Sequence, residues 1–447
     1  MKMLFAWSCG FAWIALLAVG SLNADEKTPS YTFRSQRAVG AVDRVESALD
    51  LGGEQKIVED SKVQRFKMSG LANLTYDERT LELAKESKAA VRAVRYYDKA
   101  TATLQIDTVK TTPTLREERR LIGAAIDGTK AMLFSPRGPL TRDELDLVDP
   151  LGNSLLVERF LPEKPVAIGE KWEHSAELMT ALLGLDAVSE AKVSSTLLTV
   201  DPEKPARFEM TGRVSGAIGG VATEIELQAK YHFDRKTNRV TWFGLLVKEN
   251  RSVGHIGPGL EITARLQMKI VPGSQSDQLS DRALAGLTLK PTPALTQLAY
   301  ESQGGWDAML DRRWYVTADD AKLAILRLVD RGEFVAQCKI SASPAKDLTL
   351  AAFQEDIKRG LGKSFKQFVE AGQATNDRDY RVYRVVVEGE ASDLPIQWIY
   401  YYVADRYGHQ AVLAFTVEGR LVETFAKADD VLLRTFDLAD PKIAAKP

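Results

Sequence analysis

The feature that most constrains the fold is an alternation of apolar and polar residues that recurs between residues 191 and 271. Successive side chains of a strand point to opposite faces, so this alternation is typical of a sheet with one buried and one solvated face. Turn signals such as Asp201-Pro202 and Gly219-Gly220 separate the runs. The pattern predicts an antiparallel meander with strands at residues 191–200, 206–216, 222–233, 239–249 and 261–271.

The preceding part of the chain carries a weaker strand pattern and two helix signals. Thr141 and Glu144 form a capping box, which predicts the start of a short helix, and a second helix is predicted at residues 175–184. Ala-rich residues 82–95 are equally compatible with helix and strand. Residues 30–272 are therefore predicted to form one antiparallel β-rich domain, a meander or half-barrel with short helices, with further strands near 36–48, 61–74, 90–108 and 117–134.

The periodicity changes after residues 273–293, which are rich in Ser, Gly and Pro and are predicted to be a linker. Beyond them, residues 294–440 show strands, a helix, strands and a last helix. That order predicts an α/β/α sandwich with an antiparallel sheet, so the whole chain is predicted to be α+β. The predicted strands are 320–330, 333–343, 381–389, 395–404 and 410–419, and the predicted helices are 349–371 and 421–435.

The central helix of this second domain is predicted from the spacing of its apolar residues. Phe353, Ile357 and Leu361, followed by Phe365 and Phe368, keep a spacing near four residues on one helical face. Gly360 and Gly362 are expected to break or bend the helix, because each glycine weakens a helix by up to about 1 kcal/mol, and Gly372 is expected to end it.

The first 24 residues have the pattern of a secretory signal peptide. Lys2 provides a positive start, an apolar run covers residues 3–19, and Leu22 and Ala24 lie at positions −3 and −1 of a cleavage site before Asp25. An uncleaved N-terminal anchor is the alternative. We expect an exported protein, periplasmic or extracellular after cleavage near Ala24, with no membrane span, since no second apolar stretch approaches 18 residues.

Composition excludes several classes of function. Lys and Arg number 59 against 61 Asp and Glu, a net charge of −2, which is unlike a strongly basic nucleic-acid binder. The chain has two Cys, of which Cys9 lies in the predicted leader, and four His. We expect no nucleic-acid partner, no cofactor and no metal site, because His174, His232 and His255 lack metal-ligand spacing.

Catalysis requires groups that converge on one place, and we considered one such pair. Cys338 and His409 belong to the same predicted domain, so a thiol–imidazole pair is conceivable. Cys338 alternates with Ala336 and Ile340 on one strand face, however, which favours a core position. No catalytic residue is therefore predicted.

An aromatic row is the candidate binding feature. Trp398, Tyr400 and Tyr402 share one face of a strand, where exposed rings would contact a ligand or a partner. In a sandwich with helices over both faces the same rings are core, beneath residues such as Phe353 and Phe365. The core interpretation is favoured, and the three residues remain the candidate binding residues.

The C-terminal half, residues 300–440, resembles the PsbP/DcrB-like superfamily in its element order. The resemblance depends on Trp314 at the first strand, the central helix and the strand triplet that leads to a final helix. It implies an α/β/α sandwich and an assembly or accessory role. No catalytic or metal-binding residue is transferred by it.

A segment of the N-terminal half is similar to an uncharacterised family of exported bacterial proteins, which has no assigned function. The architecture is also loosely similar to the half-barrels of lipoprotein carriers such as LolA. The segment reads Leu-Pro-x-Lys-x-Val-x-x-Gly-x-x-Trp, with Leu161, Pro162, Lys164, Val166, Gly169 and Trp172.

These observations predict an exported, non-enzymatic protein that binds an envelope protein or an apolar small molecule. The alternative is an exported hydrolase with an unrecognised active site. A purely structural envelope component is a third possibility.

Overall fold

The structure, a computed structural model, describes residues 29–59, 62–84, 90–254, 257–342 and 348–438. Strands account for 57% of these described residues and helices for 16%. Every pairing between the named strands is antiparallel. The predicted α+β class is therefore wrong, since the protein is predominantly antiparallel β.

Within the described residues up to Pro272, twelve strands form one antiparallel sheet and two short strands pair separately. The strands are β1 (Ser30–Tyr31), β2 (Val42–Glu59), β3 (Lys62–Leu83), β4 (Ala90–Ile106), β5 (Val109–Thr111), β6 (Leu121–Asp127), β7 (Lys130–Phe134), β8 (Val166–Ala167), β9 (Lys171–Glu173), β10 (Ala187–Thr199), β11 (Ala206–Ile218), β12 (Val221–Asp234), β13 (Arg239–Arg251) and β14 (Gly259–Pro272).

Strands β10–β14 are the five strands of the predicted meander, and β14 then pairs with β2. The sheet order is β7-β6-β4-β3-β2-β14-β13-β12-β11-β10-β9, with β5 beside β4. The chain thus returns from the meander to its first long strand, which joins the early and late strands into one sheet.

The apolar face of this sheet is filled by the chain's own inner segment. This segment contains α1 (Arg142–Val148), a 3-10 helix at Val157–Phe160 and α2 (Ala176–Leu183). The two helices predicted for this part of the chain, one starting near Thr141 and one at residues 175–184, are confirmed as α1 and α2. Helix α1 has the predicted capping box. Phe160 is fully buried and stacks on Phe243 of β13 at 5.4 Å between ring centroids.

A buried network of charges ties this inner segment to the sheet. Its members are three arginines and three carboxylates, so its formal charge sums to zero. Each side chain in it is at most 5% exposed, and the members are Arg37, Asp43, Glu78, Arg95, Glu158 and Arg239.

The segment predicted to be a linker packs on the large sheet. Leu279 and Leu284 are buried against Val94 and Leu121, and the Arg79 Nη1 donates to the Leu279 carbonyl at 2.8 Å. The segment includes a 3-10 helix at Asp277–Leu279 and α3 (Asp281–Leu284), and α4 (Pro293–Thr296) follows.

The remaining strands form a seven-stranded sheet, in the order β17-β18-β19-β23-β22-β21-β20, and a three-stranded sheet, in the order β15-β16-β24. In chain order the elements are β15 (Leu298–Glu301), β16 (Trp306–Leu310), β17 (Trp314–Asp319), β18 (Leu323–Asp330), β19 (Glu333–Ala342), α5 (Leu350–Leu361), β20 (Phe365–Thr375), β21 (Arg381–Ala391), β22 (Leu394–Ala404), β23 (Gln410–Glu418), α6 (Val422–Phe425), α7 (Ala428–Thr435) and β24 (Asp437–Leu438).

The predicted α/β/α sandwich is corrected by the extent of these helices. The predicted helix 349–371 stops at Leu361, where Gly362 adopts a positive φ of 53°, and residues 365–375 form edge strand β20 instead. The predicted helix 421–435 is divided into α6 and α7, with Ala426 at a positive φ of 49° between them. The helices are consequently too short to cover the sheet as layers.

The part of the chain that carries the twelve-stranded sheet contacts the part that carries the seven-stranded sheet at several points. The Arg142 Nη2 donates to the Arg312 carbonyl at 2.6 Å, and its guanidinium lies 4.8 Å from the centroid of the Tyr315 ring. The turns at Gly220 and Gly332 approach so closely that a Cβ on Gly220 would lie 2.6 Å from the Gly332 carbonyl oxygen. Glycine at 220 therefore allows the two hairpin turns to touch.

Candidate functional site: an open sheet face

The structure divides the aromatic row on β22. Trp398 is 8% exposed and Tyr402 is fully buried, and both pack beneath α5, where the Phe353 ring lies 5.9 Å from the Tyr402 ring. Tyr400 is half-buried at the margin of that cluster, and burial raises its pKa to about 12. Of the three, Tyr400 is the one that retains substantial access to solvent.

Helix α5 covers only the β20–β22 side of the seven-stranded sheet. The hydrophobic cluster beneath α5 contains side chains of β20, β21 and β22, and Val412 is its one member from β23 among the described residues. The side chains that continue this face across β23, β19 and β18 are partly exposed. No helix among the described residues covers this area. We call it the open face, and it consists of Ile325, Arg327, Gln337, Lys339, Val412, Ala414 and Thr416, with Tyr400 at its margin.

The strand register brings two cations together on the open face. Arg327 pairs with Gln337, and Ile325 pairs with Lys339, on adjacent strands. Arg327 and Lys339 are thus diagonal neighbours, a relation that places backbones about 7–8 Å apart, within reach of long side chains. Among the described residues, neither lies within ion-pair distance of a carboxylate, and the Nε of Arg327 is buried without a hydrogen-bond partner.

The opposite margin of the open face lies against the large-sheet part of the protein. Tyr315 pairs with Arg327 in the register and is the residue that contacts the Arg142 guanidinium. The open face is therefore bordered by Arg142 and Tyr315 on one side and by Phe353 and Tyr400 on the other. The described side chains of the open face are thus a mixture of cationic, polar and apolar groups.

Cys338 and His409, the pair considered from the sequence, have other neighbours. Cys338 is fully buried on the opposite face of the sheet, and burial, followed by the charge of Asp429, raises the pKa of its thiol. His409 contacts the Asp405 carboxylate through Nδ1 at 2.6 Å. The core position predicted for Cys338 is confirmed.

The structure contains a serine–histidine contact that the sequence reasoning missed. The His174 Nε2 lies 2.7 Å from the Ser195 Oγ, because β9 pairs with β10. Ser195 is fully buried, His174 is 9% exposed, and burial lowers the His174 pKa to about 4. A general base needs substrate access and a pKa near the working pH, so this contact is structural.

Among the described histidines, His232 has a neighbour other than His174. His232 stacks on Trp242 at 4.8 Å, and His255 lies outside the described residues. Among the residues that the structure describes, no group of three or more His, Cys, Asp and Glu side chains could hold a metal ion.

Acidification is expected to destabilise the protein through His174. Its pKa is about 4 when folded and 6.5 when unfolded, so the unfolded state binds more protons between these values. The contribution of neutral His174 to the free energy of unfolding should be complete above pH 6.5. It should fall by up to about 3 kcal/mol as the pH is lowered toward 4. Urea unfolding across this range measures the effect.

The matched control is the more exposed His232, replaced by glutamine. His174→Gln should flatten the pH dependence of the urea midpoint, and His232→Gln should flatten it less. An equal slope in wild type and His174→Gln would show that His174 is not buried in its neutral form.

The fold and the open face together define the class, a predominantly antiparallel β protein. The inner segment covers the apolar face of the twelve-stranded sheet, and α5 covers only part of one face of the seven-stranded sheet. None of the described helices has the length and apolarity needed to cross a membrane.

Comparisons with known proteins add no identification. No family model and no curated protein matches the chain. Solved structures similar to it include PA94 of Pseudomonas aeruginosa, a protein of unknown function, at 12% identity and a TM-score of 0.23, with 31% of this chain and 94% of that chain covered. Lipovitellin matches at 7% identity and a TM-score of 0.29, over 53% of this chain and 26% of that chain.

The translocator domain of the autotransporter NalP from Neisseria meningitidis matches at 7% identity and a TM-score of 0.11, over 85% of this chain and 88% of that chain. Scores this low carry no argument about fold or function.

Proposed function

We propose that this chain is an exported, non-enzymatic protein that binds a partner protein. One observation carries the proposal: the apolar face of the large sheet is filled by the chain's own segment, whereas the second sheet leaves half of one face open. Export is supported by the leader pattern of residues 1–24, which lie outside the described part of the chain.

Carriage of an apolar molecule is less well supported. A half-barrel carrier needs a cavity on its concave face, and here Phe160, Phe243 and Met179 occupy that space. A cavity beside Tyr76 and Arg95 has a volume of about 10 Å³, which suits a single water molecule, and the larger space of about 610 Å³ beside Ile225, Glu249 and Ile262 also has charged groups in its lining. The protein's outer surfaces are accordingly the better place for binding.

The hydrolase alternative has one geometric feature in its favour, the contact between His174 and Ser195. A buried serine and a histidine with a pKa of about 4 do not provide an activated nucleophile. The hydrolase alternative can therefore be tested with the variant Ser195→Ala.

Affinity purification after in vivo cross-linking in the source organism tests the proposal. A specific envelope protein should be cross-linked in stoichiometric amounts, and an unbiased hydrolase screen of the purified protein should be negative. Hydrolysis that Ser195→Ala abolishes would establish the enzyme alternative, and lipid retained in native mass spectrometry would establish ligand carriage.

A further inference from the structure

We propose that the open face binds an acidic segment of the partner protein, which extends the partner-binding function proposed above. Arg327 and Lys339 bind its carboxylates, and Tyr400 contacts its apolar side chains. The segment lies across β18, β19 and β23, between α5 and Arg142.

The charge of the open face selects an anionic partner. In the described strands, the residues facing this side from Leu323 to Arg327, from Gln337 to Ser341 and from Gln410 to Thr416 include two cations and no carboxylate. The next acidic residue on this side of β23, Glu418, is occupied by Arg420, whose Nε donates to it at 2.7 Å. A protein with a net charge of −2 thus carries a local surface of opposite sign.

The hydrogen-bonding capacity of Arg327 supports a carboxylate ligand. Its buried Nε has no acceptor among the described residues, and a buried donor without a partner costs about 1–3 kcal/mol. A carboxylate that accepts from this Nε would offset that cost, because arginine and carboxylate form charge-assisted bonds. The neighbouring Gln337 and Thr416 add polar groups in the same row.

The apolar part of the open face selects a polypeptide over a small anion. Ile325, Val412 and Tyr400 are each partly exposed, and Tyr400 is held in place by the edge-on ring of Phe353 at 6.5 Å. Tyrosine and arginine together are enriched where proteins bind one another. Two cations beside such side chains match an acidic strand with apolar residues between its carboxylates.

Fluorescence anisotropy with a designed peptide tests the inference. The probe is a fluorescein-labelled peptide of about ten residues, the length of a long strand, in which glutamate alternates with leucine. The full chain should bind it, and binding should weaken from about 50 mM to about 500 mM NaCl, because salt screens exposed charges. A peptide with lysine in place of glutamate should not bind.

The decisive variant reverses both charges, R327E/K339E, and should weaken binding at least about fivefold. The matched control, K110E/K204E, makes the same change in net charge at exposed lysines outside the seven-stranded sheet and should bind as wild type does. Circular dichroism shows whether each variant is folded. If R327E/K339E does not fold, the neutral variant R327Q/K339Q tests whether loss of the two positive charges weakens peptide binding. Equal binding by the open-face variants, or equal binding of the lysine peptide, would overturn the inference.

The cross-linking experiment separates this inference from the proposed function. A partner protein that cross-links equally to wild type and R327E/K339E would leave the function standing and refute the open face as its site. Absence of any partner together with peptide binding would refute the function instead.

Discussion

Replacement of Glu78 by leucine is expected to destabilise the protein by about 3–5 kcal/mol, because it leaves buried arginines without their counter-charge. The Glu78 carboxylate accepts from the Arg95 Nε at 2.7 Å and from the Ser154 Oγ at 2.6 Å, and Arg37 lies 3.4 Å away. Equilibrium urea unfolding measures the loss.

The size of this effect follows from the balance of the whole network. Arg239 binds Asp43 at 2.6 Å and Glu158 at 2.5 Å, while Arg37 reaches both of these carboxylates. Removal of one carboxylate from three leaves a net positive charge in a region almost free of solvent.

The matched control is Glu261, which is 56% exposed and paired with Lys56 and Arg65. Glu261→Leu should change stability far less than Glu78→Leu, because exposed ion pairs contribute little. Similar losses for the two variants would contradict the role assigned to the buried network.

The same network predicts that the free energy of unfolding decreases at acidic pH. Burial alone would raise the pKa of Glu78, but Arg95 and Arg37 outweigh burial and hold it below 4.5. Its stabilising contribution is present above pH 4.5 and is lost as pH falls through the folded value. Glu78→Gln should remove that part of the acid destabilisation.

Local signals predicted the elements that local interactions determine. The capping box of Thr141 and Glu144 forms as expected, and the alternating segments 191–271 are strands. Both patterns depend on residues within a few positions of one another, so the sequence alone specifies them.

The helix predicted over residues 365–371 failed for a physical reason. Register shifts between Phe365 and Gln367 and between Phe368 and Glu370 mark β-bulges in β20. A bulge inserts one extra residue, so residues three apart can lie on the same face of a strand. The spacing of Phe365 and Phe368 therefore imitates a helix, and Gly362 is the residue that ends the real one.

The candidate site was only partly accessible to sequence reasoning. The aromatic row was visible, but which of its rings α5 covers depends on where the chain places that helix. Arg327 and Lys339 are twelve positions apart and become neighbours only through the β18–β19 register. The Glu78 network joins positions almost 200 residues apart, such as Asp43 and Arg239, which no local pattern reveals.

Two replacements of Tyr402 are expected to differ strongly in their effect on stability. Tyr402→Ala should cost about 3–5 kcal/mol, because its fully buried ring packs against Phe353 and stacks on Tyr383 at 5.2 Å. Tyr402→Phe should be neutral or stabilise by about 1 kcal/mol, since the buried hydroxyl has no hydrogen-bond partner among the described residues.

Tyr400 provides the comparison on the same strand face. Its ring is only half-buried, so Tyr400→Ala should destabilise the protein less than Tyr402→Ala does. Tyr400→Ala should also weaken binding of the acidic peptide, whereas Tyr402→Phe should leave that binding unchanged. Chemical denaturation and peptide anisotropy on the three variants measure both quantities. Destabilisation by Tyr402→Phe would mean that the hydroxyl is bonded, and weaker peptide binding in that variant would place the binding surface beneath α5 rather than beside it.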